Sequence, residues 1–291
     1  MTNLNTCKIG VVTPLKNELL NIELLIDSVS EQSVPIEYWI IIQNGSTDGS
    51  KEFLEGISSV KNVANFKVIN YELPNEKYEL GLKYANVVNQ GFMYLKEIGA
   101  IDNNLDYIGI LDADCFPSKN YYEKLIAFMA SAPQIGISSG IGRNMEGKLD
   151  KESRSWVRGN CRLWTIDCFK NAGYVLGPSA DTLSVCKAEL KGWKAIPKLD
   201  LIYQCRDMGT NVNHSYYGYS AYYRGTTPFY ALLKTIKHLV VGEFTQGKRY
   251  FKGYFNAFRD KKEQIKDKDI YNYFSNYLLI KAKKKLCITR I

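Results

Sequence analysis

Histidine is nearly absent from the sequence: only His214 and His238 occur among 291 residues, which excludes a histidine-rich metal centre. The seven cysteines, Cys7, Cys115, Cys161, Cys168, Cys186, Cys205 and Cys287, are odd in number and include no Cys-x-x-Cys pair or paired metal-ligand spacing. That pattern predicts free thiols in a reducing cytosol, and the opening MTNLNTCKIGVV lacks the features of a secretory signal. No apolar run approaches the ~18 residues needed to span a bilayer. Internal repeats and low-complexity tracts are also missing, which removes solenoids and disordered arrays from consideration.

What is present is an ordinary globular composition, with 45% hydrophobic and 23% charged residues. The length suffices for one large α/β domain with an appendage, or for two small domains. Charge is unevenly spread. Residues 226 to 291 carry 15 Lys and Arg against 5 Asp and Glu, whereas the first 225 carry 23 against 25. The basic tail points to an anionic partner surface, either lipid or nucleic acid.

Residues 7 to 13 (CKIGVVT) form a β-branched run ending at Thr13-Pro14, followed by helical spacing from about Asn17 to Glu31. The run Tyr38 to Ile42 leads into the turn-rich Asn44-Gly45-Ser46-Thr47-Asp48-Gly49, and a helical stretch opens near Ser50. Further strands are expected at Phe66 to Tyr71 and Tyr107 to Leu111, with helices at Lys83 to Lys96 and 116 to 130. This alternation predicts a parallel sheet with crossover helices, whose ligands bind beyond the C-terminal strand ends. Residues 133 to 180 mix glycines, turns and short apolar pieces without a consistent period. From Thr226 onward three helix faces follow, around Leu232 to Val240, Phe251 to Phe258 and Ile270 to Leu278, and the lysines Lys281, Lys283, Lys284 and Lys285 close the last.

Asp112 and Asp114 stand at the end of the strand YIGIL. If the chain turns there, both carboxylates reach one site, where oxygen ligands suit a hard divalent cation such as Mg2+ or Mn2+. A cation so held neutralises a departing diphosphate. A solvated acidic turn, or a helix cap before Pro117, is the alternative.

VVTPLKNE, followed by a strand and then NGSTDGS, resembles the opening of the family-two inverting glycosyltransferases. LKYANVVNQG is similar to that family's helix with a basic residue, at Lys83, and Asn89-x-Gly91, and YIGILDADCFP to its Asp-x-Asp strand. The resemblance covers about residues 7 to 225. It implies an α/β chain of GT-A fold, a Rossmann-like nucleotide-sugar-binding mixed sheet flanked by helices, here with a basic helical C-terminal extension from 226. By the same resemblance, Thr13, Pro14, Asn17, Glu18, Gln43, Asn44, Lys83 and Asp112 would bind the nucleotide sugar, and Asp112 and Asp114 a divalent Mn2+ or Mg2+. The family places an acidic pair about a dozen positions before Gly-Trp; Asp181 precedes Trp193 by 12 residues and falls on the second acid. Asp181 is then the implied general base that takes the acceptor hydroxyl's proton, with a helix N-cap as its plainer reading. Two departures stand out: Ala180 replaces the first acid of that pair, and Gln43-Asn44 replaces the acidic pair near the nucleotide base. An amide carbonyl can accept from a base N–H and its NH2 can donate, so the base stays open among UDP, dTDP and GDP donors.

RGNCRLWTIDCF, SADTL and TPFYALLKTIKHL are similar to a bacterial subfamily that builds surface polysaccharide or glycolipid. This implies a saccharide or lipid-linked acceptor, and the basic tail together with the cysteine pattern predicts a cytoplasmic protein, peripheral on the membrane's cytoplasmic face. Arg158, Arg162, Trp156 and Trp164 suit either a sugar and phosphate groove or a half-buried surface. Competing readings are a nucleotidyltransferase, which usually has a glycine-rich basic loop where this chain has TPLKNE, and a non-catalytic binder using the aromatic, basic KRYFKGYF. No nucleic-acid partner is expected.

Overall fold

The computed structural model describes residues 6–72, 81–150, 154, 156–206 and 214–280; the lysine run at 281–285 lies outside them. The chain forms two compact units, one within residues 1–176 and 187–208, the other within 177–186 and 209–291.

In chain order the first unit runs β1 (Ile9–Leu15), α1 (Leu19–Ser30), β2 (Ile36–Gln43), α2 (Ser50–Glu55), β3 (Val63–Asn70), α3 (Leu82–Glu97), α4 (Ala100–Asn103), β4 (Tyr107–Leu111), β5 (Cys115–Pro117), α5 (Tyr121–Ala130), β6 (Ile135–Ser139), β7 (Ile141–Asn144), β8 (Cys161–Thr165) and α6 (Ile166–Ala172). Helix α7 (Ala180–Leu190) begins in the second unit and ends in the first, which closes with β9 (Lys194–Ala195) and β10 (Ile202–Cys205). Seven strands form one sheet in the order β3-β2-β1-β4-β8-β6-β9, and three form another in the order β5-β10-β7. The pairs β1 with β2, β2 with β3 and β1 with β4 are parallel, while β8 runs antiparallel to both β4 and β6.

Trp39, Ile40, Ile41 and Ile42 of β2 are each at most 1% exposed. A strand covered on both faces reads as a continuous apolar run, and each fully buried aliphatic chain contributes roughly 1.5–3 kcal/mol. The motif glycine Gly91 has a packing function: a Cβ there would stand 2.4 Å from Cγ1 of Val12, so α3 reaches β1 only because the side chain is missing. Strand order reverses at β1, with β2 on one side and β4 on the other, and this topological switch point is where such sheets bind ligands.

One element departs from the expected pattern. The helix predicted over 116 to 130 starts only at Tyr121, because Cys115–Pro117 pair with β10 as a strand. Those three residues carry the chain out of the turn at Asp112 and into the second sheet.

The second unit is helical: α8 (His214–Tyr223), α9 (Pro228–Val240), α10 (Phe244–Arg259) and α11 (Lys268–Ser275). Its core joins Ala221 and Tyr222 of α8, Ala231 of α9, and Tyr250, Tyr254 and Ala257 of α10. Two glycines set the α8–α10 crossing. A Cβ on Gly218 would lie 2.0 Å from the Tyr250 carbonyl oxygen, and one on Gly253 would lie 1.9 Å from that of Ser215. The helical unit thus includes α8 and starts upstream of residue 226, from which the basic extension was counted.

All six described cysteines are buried. Among the described residues, no helix is long and apolar enough to cross a membrane.

Candidate active site

The NGSTDGS loop, which follows β2, holds the start of α1. Asn17, at φ 55°, turns the chain after β1. The N–H of Asn17 donates to Ser46 Oγ at 3.0 Å, that of Glu18 to Ser50 Oγ at 3.0 Å and that of Leu19 to Asp48 Oδ2 at 3.0 Å. In return the Thr47 N–H donates to Asn17 Oδ1 at 2.8 Å. A helix start leaves its first N–H groups unpartnered, and here a second loop caps them in place of the helix's own N-cap residue. Hydrogen bonds from the Ser50 side chain and the Leu19 backbone hold the Asp48 carboxyl below its ordinary range.

The chain does turn after β4. The Cys115 N–H donates to the Asp112 carbonyl at 3.0 Å, and the Asp112 N–H to the Asn160 carbonyl at 2.8 Å. Asn160 is held in turn by Tyr203, whose hydroxyl donates to Asn160 Oδ1 at 2.7 Å. Both carboxylates of the motif have protein partners: Tyr84 on α3 donates its hydroxyl to Asp112 Oδ1 at 2.6 Å, and Arg206 donates Nε–H to Asp114 Oδ2 at 3.1 Å. Nη2 of Arg206 pairs with both Asp114 and Glu18, and Oε2 of Glu18 accepts from Asn21 Nδ2 at 2.5 Å. Partial burial alone would lower the Arg206 pKa; Asp114 and Glu18 outweigh it and raise the value. One arginine therefore ties the loop after β1 to the turn after β4.

Asp112 and Asp114 offer only oxygen donors, and among the described residues no group of three or more His, Cys, Asp or Glu could hold an ion. Two carboxylates with no further protein ligands fit Mg2+ or Mn2+, which take one or two carboxylates and fill the rest of the shell with phosphate oxygens and water.

The remaining expected donor contacts divide between interior and surface. Thr13 is fully buried and its hydroxyl accepts from the Trp39 indole at 2.9 Å, so its side chain serves the sheet. Pro14 is half-buried within β1, opposite Ile42. Gln43, 1% exposed at the end of β2, accepts the Gly45 N–H on Oε1 at 3.2 Å, which orients the amide and leaves Nε2 as a sealed donor without a partner. Asn44 is buried, its N–H bonded to the Leu15 carbonyl at 2.9 Å. Lys83 lies in the first turn of α3, half-buried, next to Tyr84.

Asp181 belongs to the second unit. It is not the N-cap of α7. The helix starts at Ala180, and the N–H groups of Thr182 and Leu183 donate to the Ser179 carbonyl at 2.8 and 3.1 Å. Ser179, at φ 65°, holds the cap position, and its own N–H donates to the Tyr216 hydroxyl at 2.8 Å. Asp181 thus lies in the first turn, where the helix dipole favours a carboxylate.

Arg158 forms an ion pair with Asp150 at 2.5 Å. Arg162 is 1% exposed, with Nε on the Arg158 carbonyl at 2.6 Å and its guanidinium 5.2 Å from the Trp164 ring centroid. Arg162 and Trp164 are therefore interior residues of β8. A hollow of about 310 Å3 beside β3, lined by Tyr38, Lys67 and Tyr94 among others, contains none of the motif residues. Sequence reasoning missed Tyr84 and Arg206. Tyr84 adjoined a nominated lysine, and Arg206 follows the short strand IYQC with no motif to mark it.

The family described as Glycosyl transferase family 2 matches residues 10–189. No curated protein matches the chain in sequence. Among solved structures, the Pyrobaculum calidifontis mannosyltransferase PcManGT in complex with GDP-Man and Mn2+ superposes with a TM-score of 0.56 at 16% identity, over 88% of each chain. S. aureus TarS 1-349 in complex with UDP-GlcNAc gives 0.54 at 13% identity, over 91% of this chain and 78% of that one. Against the longer S. aureus TarS structure the TM-score is 0.53 at 14% identity, over 86% of this chain, which spans 43% of the length of that one. Likeness at this identity establishes the GT-A fold.

Proposed function

The chain belongs to glycosyl transferase family 2, and from that premise we propose that it moves a sugar from a nucleotide-diphosphate donor to an acceptor hydroxyl in a single inverting displacement. The observation that carries this reading is the turn Asp112–Cys115 at the switch point of the sheet, which presents Asp112 and Asp114 beside the loop after β1. The solved complexes with GDP-Man, UDP-GlcNAc and Mn2+ support it by analogy of fold.

In this mechanism the donor's base lies near Gln43, whose Nε2–H donates to a carbonyl oxygen of the base. Asp112 and Asp114 would hold a divalent cation, which would supply charge neutralisation at the leaving diphosphate. Arg206, already paired with Asp114 and Glu18, keeps the two loops in register and adds a fixed positive charge. Asp181 takes the proton from the acceptor hydroxyl as that oxygen attacks the anomeric carbon.

The acceptor in this reading is a saccharide or lipid-linked sugar of a bacterial surface polysaccharide or glycolipid, met at the cytoplasmic face of the membrane. The helical unit supports a surface role. Helix α9 buries its small residues Ala231 and Thr235 and exposes Phe229, Leu232, Leu233, Ile236 and Val240, the reverse of an ordinary amphipathic helix. Helix α10 carries Lys248, Arg249, Lys252 and Arg259 and no acidic residue. Apolar side chains in the headgroup region and basic ones against anionic lipid bind a helix to a bilayer without spanning it.

The test is a donor panel: purified protein with Mn2+ and UDP-, dTDP- and GDP-sugars, with nucleoside diphosphate and pyrophosphate both measured. Release of nucleoside diphosphate, abolished by EDTA, is the expected result. Pyrophosphate as the product would replace this reading with nucleotidyl transfer.

A further inference from the structure

We propose that Arg224, Ser220 and Tyr250 form a binding site for a phosphate group inside the helical unit, separate from the donor residues of the first unit. Arg224 immediately follows α8, one helical turn after Ser220, and its N–H donates to the Ser220 carbonyl at 3.1 Å. Its guanidinium carbon lies 5.1 Å from the Phe274 ring centroid. Tyr250 comes from α10, the helix that crosses α8 at Gly218.

Three hydrogen-bonding side-chain atoms here are sealed from solvent without a hydrogen-bond partner: Nε of Arg224, Oγ of Ser220 and the hydroxyl of Tyr250. Ser220 is 0% and Tyr250 1% exposed, so bulk water does not satisfy them, whereas Arg224 as a residue keeps some solvent contact. Buried polar groups in native proteins are paired almost without exception, and a buried cation needs an anion still more. The charges that act most strongly on Arg224 are those of Tyr250, Tyr216, Tyr277 and Tyr230. Burial pulls the Arg224 pKa down, and those phenols only partly oppose it.

Four of the five acids of residues 226–291 have partners of their own, Glu243 with His238, Asp260 with Arg259, Glu263 with Lys266, and Asp267 as the cap of α11, whose first turn holds the fifth, Asp269. A second cation stands close by: Lys234 Nζ lies 4.7 Å from the Tyr250 ring centroid. A guanidinium fork with two hydroxyls provides more donors than the two oxygens of a carboxylate take up, and suits the several oxygens of a phosphate. The phosphate comes either from a lipid headgroup or from a free phosphate ester, and the site stands whether or not glycosyl transfer is the reaction.

The experiment uses the full chain in EDTA, at constant ionic strength, with chloride replaced stepwise by inorganic phosphate while thermal unfolding is followed. Saturable stabilisation is expected in the wild type, with affinity lower by about tenfold in Tyr250→Phe and in Ser220→Ala, and no increment in Arg224→Gln. The first two variants remove one hydroxyl each, so they keep the test valid if Arg224→Gln fails to fold. Vesicles of phosphatidylcholine with and without phosphatidic acid then identify the source. A headgroup site gives phosphatidic-acid binding that phosphate competes away and that Tyr250→Phe weakens; a free-ester site gives phosphate stabilisation with equal vesicle binding by wild type and Tyr250→Phe. Either pattern upholds the site. Absence of phosphate stabilisation in the wild type, or an increment undiminished in Tyr250→Phe and Ser220→Ala, overturns it.

Discussion

The two units of this chain solve the problem of charge in opposite ways. In the first, ionised side chains are paired: Arg206 with Asp114 and Glu18 across two loops, Arg158 with Asp150, and Lys198 with Asp200 two residues on. In the second, basic residues outnumber acids, Arg224 stands 5.1 Å from the Phe274 ring centroid, and the apolar row of α9 faces outward. A unit whose charges are internally balanced is built to place a few carboxylates accurately around a small ligand. The other, with an excess of basic residues and uncovered apolar side chains, is the unit proposed to meet a surface or an anion supplied from outside.

The largest effect should come from the turn in the first unit. Asp112→Asn or Asp114→Asn is expected to lower sugar transfer by about a hundredfold to a thousandfold, measured as nucleoside diphosphate release with Mn2+, because charge stabilisation at the leaving group is lost. Asp181→Asn should lower the rate of transfer by about a hundredfold or more while leaving the donor's affinity in place. Wild-type rates in either case would remove the corresponding role.

Stability should separate the units as well. Gly218→Ala forces a Cβ into the Tyr250 backbone, and a loss of about 1–3 kcal/mol is expected in denaturant unfolding followed by a probe on the helical unit. A neutral result would mean that the α8–α10 crossing is looser than described. Asp48→Asn probes the first unit through pH. The folded-state pKa of Asp48 is lowered, so its contribution is present above the unfolded value of about 3.9 and is lost as pH falls through the folded one. Wild type should therefore melt above Asp48→Asn at neutral pH, with the gap closing on acidification; a gap that persists in acid would count against the Asp48 cap. The smallest effect expected is on lipid. Removal of residues 261 to 291 should weaken co-sedimentation with anionic vesicles, and high salt should release the full chain, while donor hydrolysis changes little. Equal vesicle binding by the two forms would contradict a surface role for that stretch.

How much of this was legible in the sequence follows the same division. The alternation of runs such as YWIII and YIGIL with helical spacing showed the parallel half of the sheet, because strands buried on both faces are continuous apolar runs. The expected helix at 116 to 120 failed because Cys115–Pro117 are held by a partner strand some 90 residues away, a non-local pairing that leaves no local period. Asp112 and Asp114 were visible as a motif at a strand end. Their partners Tyr84 and Arg206 were not, since a hydrogen bond between residues 28 apart and an ion pair spanning 92 have no sequence signature. Gly91 and the NGSTDGS residues were read as motif letters; the structure assigns the glycine to helix–strand contact and Ser46, Asp48 and Ser50 to the α1 cap. The α9 face was visible from its spacing but its exposure was not, because periodicity shows that a helix has an apolar side and not which side is covered.

The central proposal, that Asp114 serves donor binding and Asp181 proton removal, is tested most directly by calorimetric titration of the wild type, Asp114→Asn and Asp181→Asn with the preferred nucleoside diphosphate and Mn2+. The account predicts that Asp181→Asn binds with the wild-type dissociation constant while Asp114→Asn loses measurable metal-dependent binding. Unchanged binding by Asp114→Asn together with loss in Asp181→Asn would contradict it.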